Sequence, residues 1–172
     1  MEAIADLWKR IAKWYRRHAP PEALSLGRPA TSKEIALVES ILDVKFPRGV
    51  WESYRIHNGS NDTWVFEYSG YYLSLKDIVQ SWAILLPLAE NPEYRELRTS
   101  PQGPIKENVW NKRWIPVTGS GSGDHLCIDL DPASGGALGQ VIEYSHEEGP
   151  KRCVANSFGE WLTKFVGQLE SN

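Results

Sequence analysis

The sequence predicts an α+β domain: an antiparallel β-sheet of about five or six strands with helices packed against it. Three observations carry this. Helical periodicity fills the N-terminal third and returns at 76–88 and at the C-terminus; short β-prone segments crowd the stretch from Trp114 to Ala155; and the two kinds of segment do not alternate as the crossovers of a parallel sheet require. At 172 residues, 41% of them hydrophobic, the chain has the size of one domain able to bury a sizeable core. Residues 1–172 are therefore read as a single domain, with 1–19 a helical extension and 31–170 the core.

Each element has its own signal. Ile4, Leu7, Trp8, Ile11 and Tyr15 recur at helical spacing until Pro20-Pro21 ends the pattern. Thr31 followed by Glu34 has capping-box spacing, and Ile35, Val38, Ile41 and Leu42 form the apolar stripe behind it. After Pro47 comes a helix bearing Val50, Trp51, Tyr54 and Ile56, with Asn58-Gly59 as its left-handed C-terminal cap. Segments 64–68 and 71–75 read as short aromatic strands joined by Ser69-Gly70, and 76–88 as a helix with Ile78, Trp82, Leu85 and Leu86 inward. The segment 91–111, with three prolines and a glycine, reads as loop with a short helix near 92–97. Strands follow near 114–118, 126–131, 139–145 and 151–155, and a last helix capped by Asn156 or Ser157 buries Phe158, Trp161, Leu162, Phe165, Val166 and Leu169.

The formal net charge of −3 argues against a nucleic-acid binder and suits a basic partner. The basic residues Lys9, Arg10, Lys13, Arg16, Arg17 and His18 read as a solvated helical face. Two cysteines without metal-type spacing, no signal sequence and no membrane-length apolar run point to a reduced, cytoplasmic protein, in which Cys127 and Cys153 could bridge only if their strands were neighbours.

Candidate chemistry is sparse. Gly119-Ser120-Gly121-Ser122-Gly123 could form an anion nest, but without a Walker lysine or a following helix it reads as a hairpin turn. Alternation places His125, Cys127, Asp129 and Asp131 on one face of the next strand, a row facing solvent or capping turns rather than a converging metal cage. Asp124 is expected to lock its hairpin by accepting backbone N–H groups, and Asp131 to cap the amides of the Pro132 turn. No nucleophile elbow, zinc helix motif or dinucleotide fingerprint occurs, so no catalytic residue, metal or cofactor is assigned.

A series of words in fixed order gives a further lead: Thr31 to Leu42, Phe46-Pro47, His57-Asn58-Gly59, Trp114-x-Pro116, Gly123-Asp124, Asp129-Leu130-Asp131-Pro132, Gly139-Gln140-Val141-Ile142 and Ser157-Phe158. Together they resemble the SUKH superfamily in its Smi/Knr branch, whose bacterial members are largely immunity proteins of polymorphic toxin systems. The resemblance implies an antiparallel sheet with packed helices, and structural motif roles for Trp114, Pro116, Gly123, Asp124, Asp131, Gly139, Ser157 and Phe158. It implies a non-catalytic protein that neutralises a cognate toxin, a basic nuclease domain, by direct binding, without nucleic acid, membrane or cofactor. The partner-binding residues expected on that reading are Asp62, Trp64, Glu67, Tyr68, Tyr71, His125 and Asp129. Two alternatives stand beside it: a regulatory or scaffold module like the fungal cell-wall regulators, and a small metal-dependent hydrolase built on Asp124, His125, Asp129 and Asp131.

Overall fold

The computed structural model describes residues 2–66 and 69–171. The elements run α1 (Ile4–His18), a 3-10 turn (Pro21–Ala23), α2 (Ser32–Leu42), α3 (Arg48–Tyr54), β1 (Trp64–Phe66), β2 (Gly70–Tyr72), α4 (Leu75–Glu90), α5 (Pro92–Arg95), β3 (Trp114–Pro116), β4 (Thr118–Gly119), β5 (His125–Asp129), β6 (Gln140–Ser145), β7 (Gly149–Ala155) and α6 (Phe158–Ser171). The α+β class holds, with one refinement. The strands form two antiparallel sheets, one of order β3-β5-β6-β7 and a smaller one of order β1-β2-β4.

Both sheets grow from one stretch of chain. β3 and β4 are separated by Val117 alone, whose N–H donates to Leu126 O at 2.8 Å while its carbonyl accepts from Leu73 N at 3.0 Å. One peptide thus serves both sheets, and the chain turns a corner there. Gly70 makes the small sheet possible: its φ is 84°, and a Cβ on it would lie 2.2 Å from Gly119 O.

The large sheet is covered on both faces. Ile115, Val117, Leu126, Ile128 and Val141 face a core shared with α1, α2, α3 and α6. On the other face Trp114, Cys127, Ile142 and Tyr144 pack with Leu85 of α4 and with Ile105 and Trp110 from the segment before β3. That segment also pairs Gln102 with the β7 edge, its N–H donating to Lys151 O at 2.7 Å and its carbonyl accepting from Cys153 N at 3.1 Å. An otherwise open strand edge is thereby closed.

α1 is part of the core rather than an appendage. Trp8 is 1% exposed, packs on Tyr72 with ring centroids 5.3 Å apart, and its Nε1 donates to Ser53 Oγ at 2.9 Å. Ser53 also bonds Tyr72 OH at 2.8 Å, so the polar atoms of this aromatic centre are satisfied. Tyr15 OH donates to Val65 O at 2.8 Å, tying α1 to the edge strand β1.

The predicted Thr31/Glu34 capping box is present, and Ser74 with Asp77 builds a second one at α4 that the sequence reading missed. Ser157 caps α6, its Oγ accepting from Glu160 N at 3.1 Å. Asn58 does not cap α3, which ends at Tyr54; its Oδ1 accepts from Leu75 N at 2.8 Å and so serves the start of α4. Cys127 and Cys153 both pair with Ile142 from opposite sides, so a whole strand separates them and both are free thiols.

Candidate protein-binding surface

The small sheet leaves an aromatic surface open. Tyr72 points into the core, so its neighbour Tyr71 points away, and Trp64, its cross-strand partner, joins it edge-on at 5.1 Å and 72°. Trp64 is 44% exposed, an unusual outlay of indole surface to water. Across β2 the partner of Tyr71 is Gly119, which is buried beneath Leu73 and beside the His125 ring, while the exposed Gly121 lies next to the Tyr71 ring. Asp62, exposed and in a left-handed turn at φ 60°, stands at the entrance to β1. Glu67 and Tyr68 lie outside the described residues.

Beside the β4–β5 turn the surface drops into a cleft of about 230 Å³, lined by Ser120, Asp124, His125, Tyr144, Arg152 and Trp161 among others. The hairpin turn above it is the expected one, with Ser120 N donating to Asp124 O at 3.1 Å. Asp124 does not lock its own hairpin. Its Oδ1 accepts from the backbone N–H and the ring Nδ1 of His146, at 3.0 and 2.9 Å, and so ties the β4–β5 turn to the β6–β7 turn. These bonds hold the Asp124 carboxyl below its ordinary pKa. Gly123, with φ 98°, is required where it stands, because a Cβ there would come within 3.0 Å of His146 Cβ.

His125 is half-buried at the cleft wall, Nδ1–H donating to Thr118 O at 2.7 Å and the ring stacking toward Tyr144. Burial pushes its pKa down, only partly countered by that hydrogen bond. The fixed Nδ1 proton leaves Nε2 as an acceptor. His125 therefore offers a partner a hydrogen-bond acceptor rather than a cation.

Asp129 is not on this surface, contrary to the expectation for it. It is 0% exposed, accepting from Trp114 Nε1 at 3.1 Å, Gln140 Nε2 at 2.8 Å and Asp131 N at 2.9 Å. Burial raises its pKa against the pull of those donors. The face it shares with Cys127 lies under α4 and the 105–110 segment, whereas solvent was expected there. Asp131 also departs from its expected role: its carboxylate holds Lys106 Nζ at 2.6 Å and Asn111 Nδ2 at 2.8 Å, anchoring that covering segment.

The four residues of the hydrolase alternative thus point to different partners, and no group of three or more His, Cys, Asp or Glu able to hold a metal occurs among the described residues. Trp114, Pro116 and Phe158 are buried, Pro116 pairs with Cys127, and Gly139 opens β6 against the Pro47 ring. Gln140, which joins the buried Asp129 network, was singled out only as part of the Gly139-Gln140-Val141-Ile142 word, and the half-exposed Asp131 partners Lys106 and Asn111 carried no sequence signal.

An α+β domain whose buried side-chain polar atoms are, among the described residues, hydrogen-bonded apart from Trp110 Nε1, and which carries an exposed aromatic strip, has the form of a binding module. This chain belongs to the SMI1/KNR4 family (SUKH-1), whose sequence model matches residues 29–164. The cell wall assembly regulator SMI1 of Saccharomyces cerevisiae is 23% identical over 95% of this chain and 40% of the regulator. A KNR4/SMI1 homolog from Kluyveromyces lactis is 26% identical over 95% of the chain and 43% of that protein. A glucan synthesis regulatory protein of Neurospora crassa is 23% identical over 98% of the chain and 38% of its own length. The chain spans about two-fifths of the length of these relatives. They are named for regulation, not for toxin neutralisation, and so favour the regulatory alternative over the immunity reading. No helix among the described residues is long and apolar enough to cross a membrane.

Proposed function

We propose that this chain is a non-catalytic, protein-binding regulatory module of the kind the fungal wall regulators carry, and that it recognises its partner through the strip running from Asp62 over Trp64 and Tyr71 to His125. The observation that carries the reading is the edge-on Trp64–Tyr71 pair, with Trp64 44% exposed. Rigid aromatic rings offer large contact area at small entropic cost. Asp62 and His125 supply a carboxylate and a ring acceptor at the two ends, polar groups that fix register once the rings are covered. The regulatory names of relatives matched along nearly the whole chain support the same class.

The test is a chimera. The matched segment of the Saccharomyces cerevisiae regulator is replaced by this chain, and growth on a wall-perturbing agent is scored. Rescue that is lost with Trp64→Ala/Tyr71→Ala at unchanged protein level is the expected result. A folded, expressed chimera that never rescues, together with survival of cells co-expressing this chain and a nuclease toxin encoded beside it, would return the function to toxin neutralisation.

A further inference from the structure

We infer that the outer face of α1 is a second docking site, separate from the Trp64–Tyr71 strip, and that its ligand is an acidic peptide segment of a partner protein. Residues 1–18 carry five Lys or Arg against two carboxylates, in a chain whose net charge is −3. The molecule is therefore polarised, with positive charge gathered on one helix.

The ion pairs separate the structural cations of α1 from the free ones. Arg10 is committed: it reaches Glu170 through Nε at 2.9 Å and Nη2 at 2.5 Å, and Glu2 through Nη1 at 2.6 Å, clamping the last turn of α6 to α1. Lys9 is paired with Asp6 at 2.9 Å. Among the described residues, Lys13, Arg16 and Arg17 have no carboxylate within ion-pair distance, although the charge of Lys13 reaches Glu170 from farther off. Lys13 and Arg17, one helical turn apart, border a concavity of about 450 Å³ completed by Arg10, Trp14, His18 and Glu170. Its aromatic wall is ordered: Trp14 stacks on His18 at 4.8 Å and 26°, and His18 Nδ1 bonds Trp14 O at 2.9 Å.

A concave site with two cations a turn apart, neither in an ion pair, and an indole beside them fits carboxylates next to an apolar side chain. A bilayer fits it poorly, because Ile4, Leu7, Trp8 and Ile11, the apolar face that would insert, are already buried in the core. A nucleic-acid duplex fits it poorly too, because the rest of the chain is acidic and would repel phosphates.

The probe is a fluorescein-labelled glutamate decamer titrated with the full chain and read by anisotropy. Lys13→Glu/Arg17→Glu is expected to weaken binding at least about tenfold, since each reversal replaces attraction by repulsion. Lys33→Glu/Lys76→Glu, which makes the same charge change on exposed positions of α2 and α4, is expected to leave it unchanged, and added salt to weaken it throughout. Lys13→Ala/Arg17→Ala, checked for an unchanged melting temperature, guards against a folding artefact. Equal losses in the α1 and control variants would overturn the assignment, as would tighter binding to phosphatidylserine vesicles or to duplex DNA than to the peptide. Trp64→Ala/Tyr71→Ala should bind the decamer as the parent does; loss there with retention in the α1 variant would place the peptide on the other surface and sink this inference while leaving the proposed function standing.

Discussion

The two sheets treat their conspicuous residues in opposite ways. In the four-stranded sheet a carboxylate, Asp129, is withdrawn from water and surrounded by Trp114, Gln140 and the amide of Asp131. In the three-stranded sheet an indole, Trp64, is left in water beside Tyr71. Each placement runs against the residue's solvation preference, but the two have different consequences. A buried carboxylate with every donor directed at it specifies one arrangement of β3, β5, β6 and the covering segment. An exposed indole keeps apolar surface that a partner can still bury. The large sheet is where the fold is secured, and the small one is where the fold is available.

The strongest way to break that contrast is Asp129→Ala. It would leave Trp114 Nε1 and the Asp131 amide without their acceptor and take from Gln140 Nε2 one of its two acceptors, the other being Pro104 O; each unsatisfied buried donor costs about 1–3 kcal/mol. A loss on the order of 3 kcal/mol in urea denaturation is expected. Asp129→Asn should cost less at neutral pH and should also alter the pH profile. Burial raises the folded-state pKa of Asp129, so its contribution is fully present below the unfolded carboxyl pKa and declines as pH rises through the raised value. The asparagine variant lacks that decline. A loss below about 1 kcal/mol for the alanine variant would mean that the network is not what secures the sheet.

Trp64→Ala/Tyr71→Ala should do the reverse. Both side chains contact water and each other, so the melting temperature should fall by only a few degrees, while partner affinity, read through the chimera, should drop by about 2 kcal/mol or more if these are anchors. A large stability loss with intact function would make the pair a structural lid, and the two sheets would then no longer differ in kind.

Much of this was legible in the sequence, and the misses share one cause. The Thr31 capping box, the α1 stripe, the glycine hairpin and the Ser157 cap are local devices, each fixed by residues within a turn of one another, and each is found where expected. Alternation also grouped Asp129 correctly with Cys127 on one face of β5. It could not say whether that face was wet, because what covers it, Ile105 and Trp110, comes from a proline-rich segment with no periodicity of its own. The same applies to Asp131, whose partners Lys106 and Asn111 lie in that segment. The corner at Val117 escaped notice because a peptide shared by two sheets has the same residue pattern as one continuing a single strand.

Where the sheets meet, His125 offers the finest test of the contrast, because it belongs to both: it begins β5 and bonds the carbonyl of Thr118 in β4. Burial lowers its folded-state pKa, so between the unfolded value near 6.5 and the depressed one the unfolded chain takes up the proton more readily. Stability should therefore be fully present above that unfolded value and fall as pH drops through the folded one. His125→Asn can still donate to Thr118 but cannot titrate, so its melting temperature should fall less than the parent's from pH 7 to pH 5. Some slope will persist, because His57 is also pushed down by burial. The Asp124 carboxyl adds little in this window, since with its pKa lowered it takes up a proton only below the ordinary carboxylate range. Identical slopes in parent and variant would mean that His125 is charged without cost, hence wetter than its place at the junction implies, and the boundary between the secured sheet and the open one would have to move to the β5 side of the cleft.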